Sequence, residues 1–239
     1  MTGWLAPLAA ALDEAEAPCP VFFRDDDAGW DDARLFALLD RFDAHSLPVD
    51  VAVIPAALTP ALARELARRA AGGLVRLHQH GFAHVNHEPE GRKCEFGPAR
   101  SPAEQAADVA AGRDRLADAL GDLVDPVFTP PWNRCTAATA AALAGAGLRV
   151  LSRDESAGSV GHPGLAEVPV TVDWFGGRKG VRWAPAELGR RLADGVRGGG
   201  PVGVMLHHAV TDDDERAAVD ELLALVAGAP AARPATIAG

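Results

Sequence analysis

The stretch Val21-Phe22-Phe23-Arg24-Asp25-Asp26-Asp27 decides how this chain is read. Its β-branched and aromatic start has the character of a strand, and no turn residue separates that start from one arginine and three consecutive aspartates. Three adjacent carboxylates repel one another unless a cation or an arginine offsets them. The stretch therefore predicts a strand whose carboxyl end carries charge for a chemical reason.

Working outward, the same pattern recurs along the chain. Strands are predicted over residues 20–24, 49–54, 74–80, 126–129, 148–152, 168–173 and 201–207, and helices over 31–44, 60–71, 101–120, 136–144, 185–196 and 212–226. Short β-branched runs alternating with Ala/Leu-rich helical periods are the pattern of βα units around a parallel sheet. Ser101 with Glu104 three residues on forms a capping box, and the acidic run 212–215 opens a helix where negative charge favours the dipole. No linker divides the 239 residues, which suit one barrel domain spanning 1–239, with the Ala/Pro-rich segment 229–239 expected to be a flexible tail.

Composition excludes several functions. Acidic residues exceed basic ones, 33 against 23, giving a net charge of -10, which repels nucleic acid. Only Lys93 and Lys179 are lysines and tyrosine is absent, so Schiff-base and tyrosyl mechanisms have almost no candidates. Cys19, Cys94 and Cys135 are odd in number and never in CxxC spacing, which points away from a disulfide framework and towards a reducing compartment. The apolar stretch 4–12 has no preceding basic residue, and no apolar run is long enough to span a membrane. The expectation is a cytoplasmic protein without membrane or nucleic-acid partners.

The polar clusters fall where the strands end: residues 24–27, 78–80, 129–132, 173–174 and 207–208. In parallel α/β barrels that face carries the active site. His78, His80, His84 and His87 share one ten-residue window, where eight histidines spread over the chain would place about a third of one. His80 and His84, four apart across a turn, can reach one divalent metal, and a carboxylate from residues 25–27 can complete a His₂Asp site with positions left open. Zinc is the first choice for such mixed ligands, with cobalt, manganese and nickel as alternatives.

With those residues in place, the chain resembles the polysaccharide deacetylase family, also known as the NodB homology group or carbohydrate esterase family four. Arg24-Asp25-Asp26-Asp27 resembles its Thr-Phe-Asp-Asp-Gly motif, and His80-Gly81-Phe82-Ala83-His84 its His-Ser/Thr-x-x-His motif. Thr129-Pro130-Pro131-Trp132-Asn133 is similar to Arg-x-Pro-Trp/Tyr-Gly, Asp173-Trp174 to Asp-Trp, and Val204-Met205-Leu206-His207 to Leu-x-Leu-His. The resemblance implies a distorted (β/α)7 TIM-like barrel and metal-dependent hydrolysis of an acetamido group. It implies Asp26, His80 and His84 as metal ligands and Asp25 as the general base. A backbone N–H near Trp132 is implied as an oxyanion donor, and His207 as the general acid with Asp173 as its partner.

Three departures from the pattern shape the expected substrate. Thr129 stands where the family has the arginine that orients the base, leaving Arg24 or Arg134 to take that task. Asp27 replaces a glycine and His208 a common aspartate, adding polar groups to the pocket. Arg24, Asp27, His78, His87, Arg134, Trp174 and His208 are accordingly expected near the substrate or behind the site. A small-molecule or oligosaccharide substrate of neutral or weak charge is expected. Residues 85–100 are read as a substrate-covering loop or a disordered segment, and residues 174–179 as an aromatic and basic rim, with a place in the core as the other reading of Trp174. The alternatives are hydrolysis of an amide or ureide of a non-sugar metabolite, and a barrel that binds ligand without catalysis.

Overall fold

The computed structural model describes residues 3–176 and 182–239. Strands β1 (Cys19–Ala28), β2 (Val49–Val53), β3 (Val75–His80), β4 (Val124–Thr129), β5 (Val150–Leu151), β6 (Ala166–Glu167), β7 (Val172–Asp173) and β8 (Val202–Leu206) form one parallel sheet. Their order is β6-β5-β4-β3-β2-β1-β8-β7, curled into the distorted barrel expected from the sequence. Helix α1 (Ala6–Asp13) precedes the first strand, and α2 (Asp32–Ala44), α3 (Pro60–Ala70), α4 (Pro102–Leu120), α5 (Ala137–Gly145), α6 (Pro185–Arg197) and α7 (Asp213–Gly228) lie between strands in sequence. Among the described residues no helix is long and apolar enough to cross a membrane.

Helix starts follow from local chemistry. Ser101 and Glu104 exchange hydrogen bonds at the start of α4, and Asp212 does the same with Glu215 at α7, so orphan N–H groups at both ends find acceptors. Thr59 caps α3 by accepting from Leu62 N at 3.1 Å, with Pro60 at the position that needs no donor.

Side chains alternate along each strand, and that alternation divides the interior from the helix-facing core. Val21 and Phe23 of β1, with Val49, Val51 and Val53 of β2 and Val202, Val204 and Leu206 of β8, pack outward against helical residues such as Leu35, Leu192 and Leu223. Phe22, Val127, Val170, Met205 and Ile237 form a separate cluster inside the barrel. Arg24 and His78, inward-facing and buried, continue the interior towards the carboxyl ends of the strands.

Three expectations need correction. The single strand predicted over 168–173 narrows to β7 at its end, with Val170 bridging to Asp154 and a further short strand, β6, just before it, so with a C-terminal strand the sheet has nine strands and not seven. The apolar stretch near the N-terminus, with no structure assigned, is α1, packed on α6, and Trp4 meets Trp174 edge-on at 6.1 Å. The segment expected to be a flexible tail forms β9 (Ala232–Pro234), which pairs with β1 at Cys19–Val21. Its composition hid one residue, Ile237, whose side chain is 4% exposed inside the barrel while its N–H reaches Asp50 Oδ2 at 3.0 Å.

Candidate functional site

Arg24 faces the interior and is fully buried. Its guanidinium donates in a fork to Asp26, Nε to Oδ1 at 2.8 Å and Nη2 to Oδ2 at 2.9 Å. Two further donors reach Ser152 Oγ at 2.9 Å and Asn133 Oδ1 at 2.8 Å. Burial would raise the Asp26 pKa, but the charge of Arg24, followed by those of His80 and His207, outweighs it and holds the carboxylate below its ordinary range. Of the two arginines the sequence left as candidates, Arg24 is the one that holds an aspartate of the run. Arg134 instead donates to Lys93 O and does not touch Asp26.

Asp25 points the other way. Its Oδ1 accepts from His208 N at 2.9 Å and its Oδ2 from His208 Nδ1 at 2.6 Å, while His208 Nε2 lies 2.6 Å from Trp30 O. One ring nitrogen faces a carboxyl and the other a carbonyl, an arrangement that favours the imidazolium form of His208. Burial opposes that charge, yet Asp25 overcomes it and pushes the His208 pKa up to about 9. Asp25, with both oxygens committed and no exposure, is therefore not placed to serve as the expected base.

The carboxylate that meets the histidines is Asp27, where the sequence reading expected Asp26. Strict alternation would turn Asp27 away from Asp26, but the β1–β2 register shifts between Asp25 and Ala28 and Asp27 takes a left-handed φ of 73°. That kink brings two consecutive carboxylates towards the barrel mouth. Asp27 Oδ1 lies 3.1 Å from His80 Nε2 and 3.2 Å from His84 Nε2. One ligand atom from each of the three residues falls within 4.8 Å of the others.

The donor chemistry of this group fits a divalent cation. His80 Nδ1 donates to the Thr129 carbonyl at 3.0 Å, which leaves Nε2 as the lone-pair nitrogen aimed at Asp27. A lone pair and a carboxylate oxygen at that separation repel unless a proton or a metal ion stands between them. Two imidazoles with one carboxylate also match an open, catalytic ligand set. Without an ion, burial disfavours a charged His80, but the Asp27 hydrogen bond and the charges of Asp26 and Asp27 raise its pKa. Asp27, opposed by burial, is held well below the usual carboxylate range by His80 and His84.

Aromatic rings complete the mouth. His84 is held between Trp30 and Trp132, with ring centroids at 4.5 and 4.4 Å. Trp132 and Asn133 adopt successive left-handed conformations, φ 56° and 58°, which turns the Trp132 ring to His84 while Asn133 Oδ1 accepts from Arg24 and from Asp154 N. His207 packs against Phe175 at 5.7 Å, and its buried Nδ1 has no hydrogen-bond partner among the described residues. Asp173 accepts from Phe175 N; among the described residues no hydrogen bond or ion pair joins it to His207. Burial raises the Asp173 pKa, with the His207 charge opposing.

The remaining expected residues divide. His78 is buried below the site, its Nε2 2.9 Å from Thr129 Oγ1. His87 is exposed and its N–H is bonded to Cys94 O. Trp174 is 2% exposed and belongs to the outer core, so Phe175, capped by Arg182 at 4.1 Å, is the aromatic rim residue. Gly177, Arg178 and Lys179 of the expected rim lie outside the described residues. Trp30 and Ser152 escaped the sequence reading, and Asn133 entered it only as the last residue of a motif, with no role. Trp30 had a faint signal, an aromatic residue three positions past the aspartates, whereas the other two are more than 100 residues from Arg24.

No family model and no curated protein matches the sequence. Solved structures do match. A Mycobacterium smegmatis protein, provisionally named a polysaccharide deacetylase, superposes with a TM-score of 0.73 at 18% identity over 93% of this chain and 91% of its own. A family 4 acetyl xylan esterase from Clostridium thermocellum, solved with a cobalt ion, gives 0.53 at 14% identity over 86% and 82%. The chain therefore has the fold of the polysaccharide deacetylases and family 4 carbohydrate esterases. A Bacillus anthracis protein described as a family 4 pseudoenzyme shares it too, with a TM-score of 0.54 at 14% identity over 88% of this chain and 60% of its own. Catalysis must be argued from the site, since the fold is shared by active and inactive proteins.

Proposed function

We propose that this protein is a metal-dependent hydrolase that removes the acetyl group from an acetamido sugar or a related small amide. The observation that supports this reading is the convergence of Asp27, His80 and His84 beside the arginine-held Asp26 at the carboxyl ends of a parallel sheet. Asp27 Oδ1, His80 Nε2 and His84 Nε2 would hold the ion, for which zinc is the first choice and cobalt, manganese and nickel are alternatives. Such an ion supplies Lewis acidity, polarising the amide carbonyl and acidifying water.

The chain's own groups do the rest. Asp26, kept ionised by Arg24, takes the proton of the attacking water as general base. Its two oxygens are fixed by the guanidinium fork, so its orientation is set before substrate arrives. His207, at the end of β8, gives a proton to the departing amine, and Asp173 steadies its charge through space. The turn at Trp132 offers a main-chain N–H to the oxyanion. Trp30 and Trp132 exclude water from one side of His84 and present apolar faces to a sugar ring.

The test is acetate release from N-acetyl sugars and small N-acetyl amides by metal-loaded protein. Release that disappears in Asp26→Asn and His207→Ala, with the metal retained in both, supports the assignment. Wild-type rates in either variant would remove that residue from its role, and phosphate release from aryl phosphates without acetate would sink the deacetylase reading.

A further inference from the structure

Glu95 lies in the segment read as a substrate-covering loop, and it is fully buried. Among the described residues no cationic side chain pairs with it. Its carboxylate instead receives two consecutive backbone donors: Ala83 N reaches Oε1 at 2.7 Å and Phe82 N reaches Oε2 at 3.2 Å. These two N–H groups belong to the turn between His80 and His84. A buried, unpaired carboxylate is costly, and so are two buried N–H groups without an acceptor; each offsets the other.

The turn is shaped around that carboxylate. Gly81 has φ +54°, and a Cβ there would sit 2.1 Å from Glu95 Oε2 and 2.6 Å from the Pro131 ring. His84 itself is left-handed at φ 56°, a conformation a non-glycine residue keeps only when its surroundings enforce it. One end of the turn is anchored by the β3–β4 pairing and by Gly81 N on Thr129 O. At the other end Glu95 is anchored by its neighbours, with Cys94 N on Asn86 Oδ1, Cys94 Sγ on Arg134 O, and Phe96 bridged to Cys135.

We infer that Glu95 is a positioning residue for His84: its carboxylate pins the Phe82 and Ala83 amides and so aims the His84 ring at Asp27 without touching any ligand atom. This rests on the metal-site reading above. A carboxylate suits the task better than an amide, because two oxygens face two donors, whereas glutamine presents an NH₂ to one of them. Its charge would also favour a cation held by the residues of that turn.

The experiment is a Co²⁺ titration of the full-length protein, read by visible d–d absorption and by competition with a chromogenic chelator. Wild type is compared with Glu95→Gln, Glu95→Ala, His84→Ala and a control, Leu143→Ala, in the outer core behind the loop. Glu95→Gln and Glu95→Ala are expected to weaken Co²⁺ binding about 10- to 100-fold, the usual effect of losing an outer partner of a ligand, with an altered d–d band. Leu143→Ala is expected to lower the Tm and leave affinity and spectrum unchanged. A folded Glu95→Gln with wild-type affinity and spectrum overturns the inference, as does an equal loss in Leu143→Ala. Should Glu95→Ala fail to fold, the near-isosteric Glu95→Gln carries the test. Wild type and His84→Ala that both lack a cobalt band would refute the metal site itself, a result distinct from a cobalt-binding wild type that is indifferent to Glu95.

Discussion

The barrel interior holds buried carboxylates at both ends, and the two ends treat them in opposite ways. At the carboxyl ends of the strands, Asp26 and Asp27 are held below the ordinary range. On the opposite side, Asp50 of β2 is 1% exposed and its pKa is pushed up to about 7, first by burial. The difference lies in the donors. Asp26 has a guanidinium fork and Asp27 two imidazoles, whereas Asp50 receives one N–H from Ile237. The charges of Arg76 and Arg24 lower the Asp50 pKa only in part, since Arg76 is forked onto Asp125, whose own charge raises it, and Arg24 onto Asp26. Burial alone favours the neutral acid; only dedicated donors make a buried carboxylate ionic.

The comparison breaks most visibly if the site end loses a ligand. Asp27→Ala or His84→Ala is expected to cost far more metal affinity than the roughly 10- to 100-fold typical of an outer partner. Asp25→Asn, whose partner is His208, is expected to bind metal much as wild type does. Metal analysis of the purified variants checks this, and full occupancy in both Asp27→Ala and His84→Ala would remove the site. Asp26→Asn should keep the metal and lose about 10²- to 10⁴-fold in turnover, the usual worth of a general base.

Next in size is the cost of stripping Asp26 of its donor. Arg24→Met leaves a carboxylate buried and unpaired, which destabilises by about 3–5 kcal/mol. The double variant Arg24→Met/Asp26→Leu removes both charges and should recover most of that loss in urea denaturation. A double variant no more stable than Arg24→Met would mean that the fork is not what Asp26 requires.

These contrasts also explain what the sequence could reveal. His80 and His84 were legible because their relation is local, four residues across one turn. The aspartate run was legible as a cluster at a strand end, but which of its carboxylates meets the histidines was not. Strand periodicity carries no sign of the left-handed kink at Asp27 that brings Asp27, and not Asp26, against His80 and His84. Arg24 was one of two candidate arginines, and only the distant partners Ser152 and Asn133 reveal that it is the one buried against Asp26. The parallel βα pattern was read correctly because it is built from repeated local signals. The C-terminal strand was missed because its support comes from distant partners, Cys19 and Asp50, and not from its own Ala/Pro-rich composition.

Asp50 offers the smallest and sharpest test of the contrast. Its carboxyl binds a proton more tightly in the folded protein, with a pKa of about 7, than in the unfolded chain, where the value is near 3.8. The folded state therefore gains from Asp50 at pH below about 4, and that gain is lost as pH rises through the interval up to about 7. Asp50→Asn keeps an oxygen for Ile237 N and has no proton to lose. The variant should match wild type at the acid end of that interval and become the more stable of the two above pH 7, by an amount on the order of a few kcal/mol. Urea denaturation of both proteins from pH 4 to 8 measures the crossover. Parallel stability curves over that range would mean that Asp50 is ionised when folded, and that the two ends of the barrel do not differ as the donor count requires.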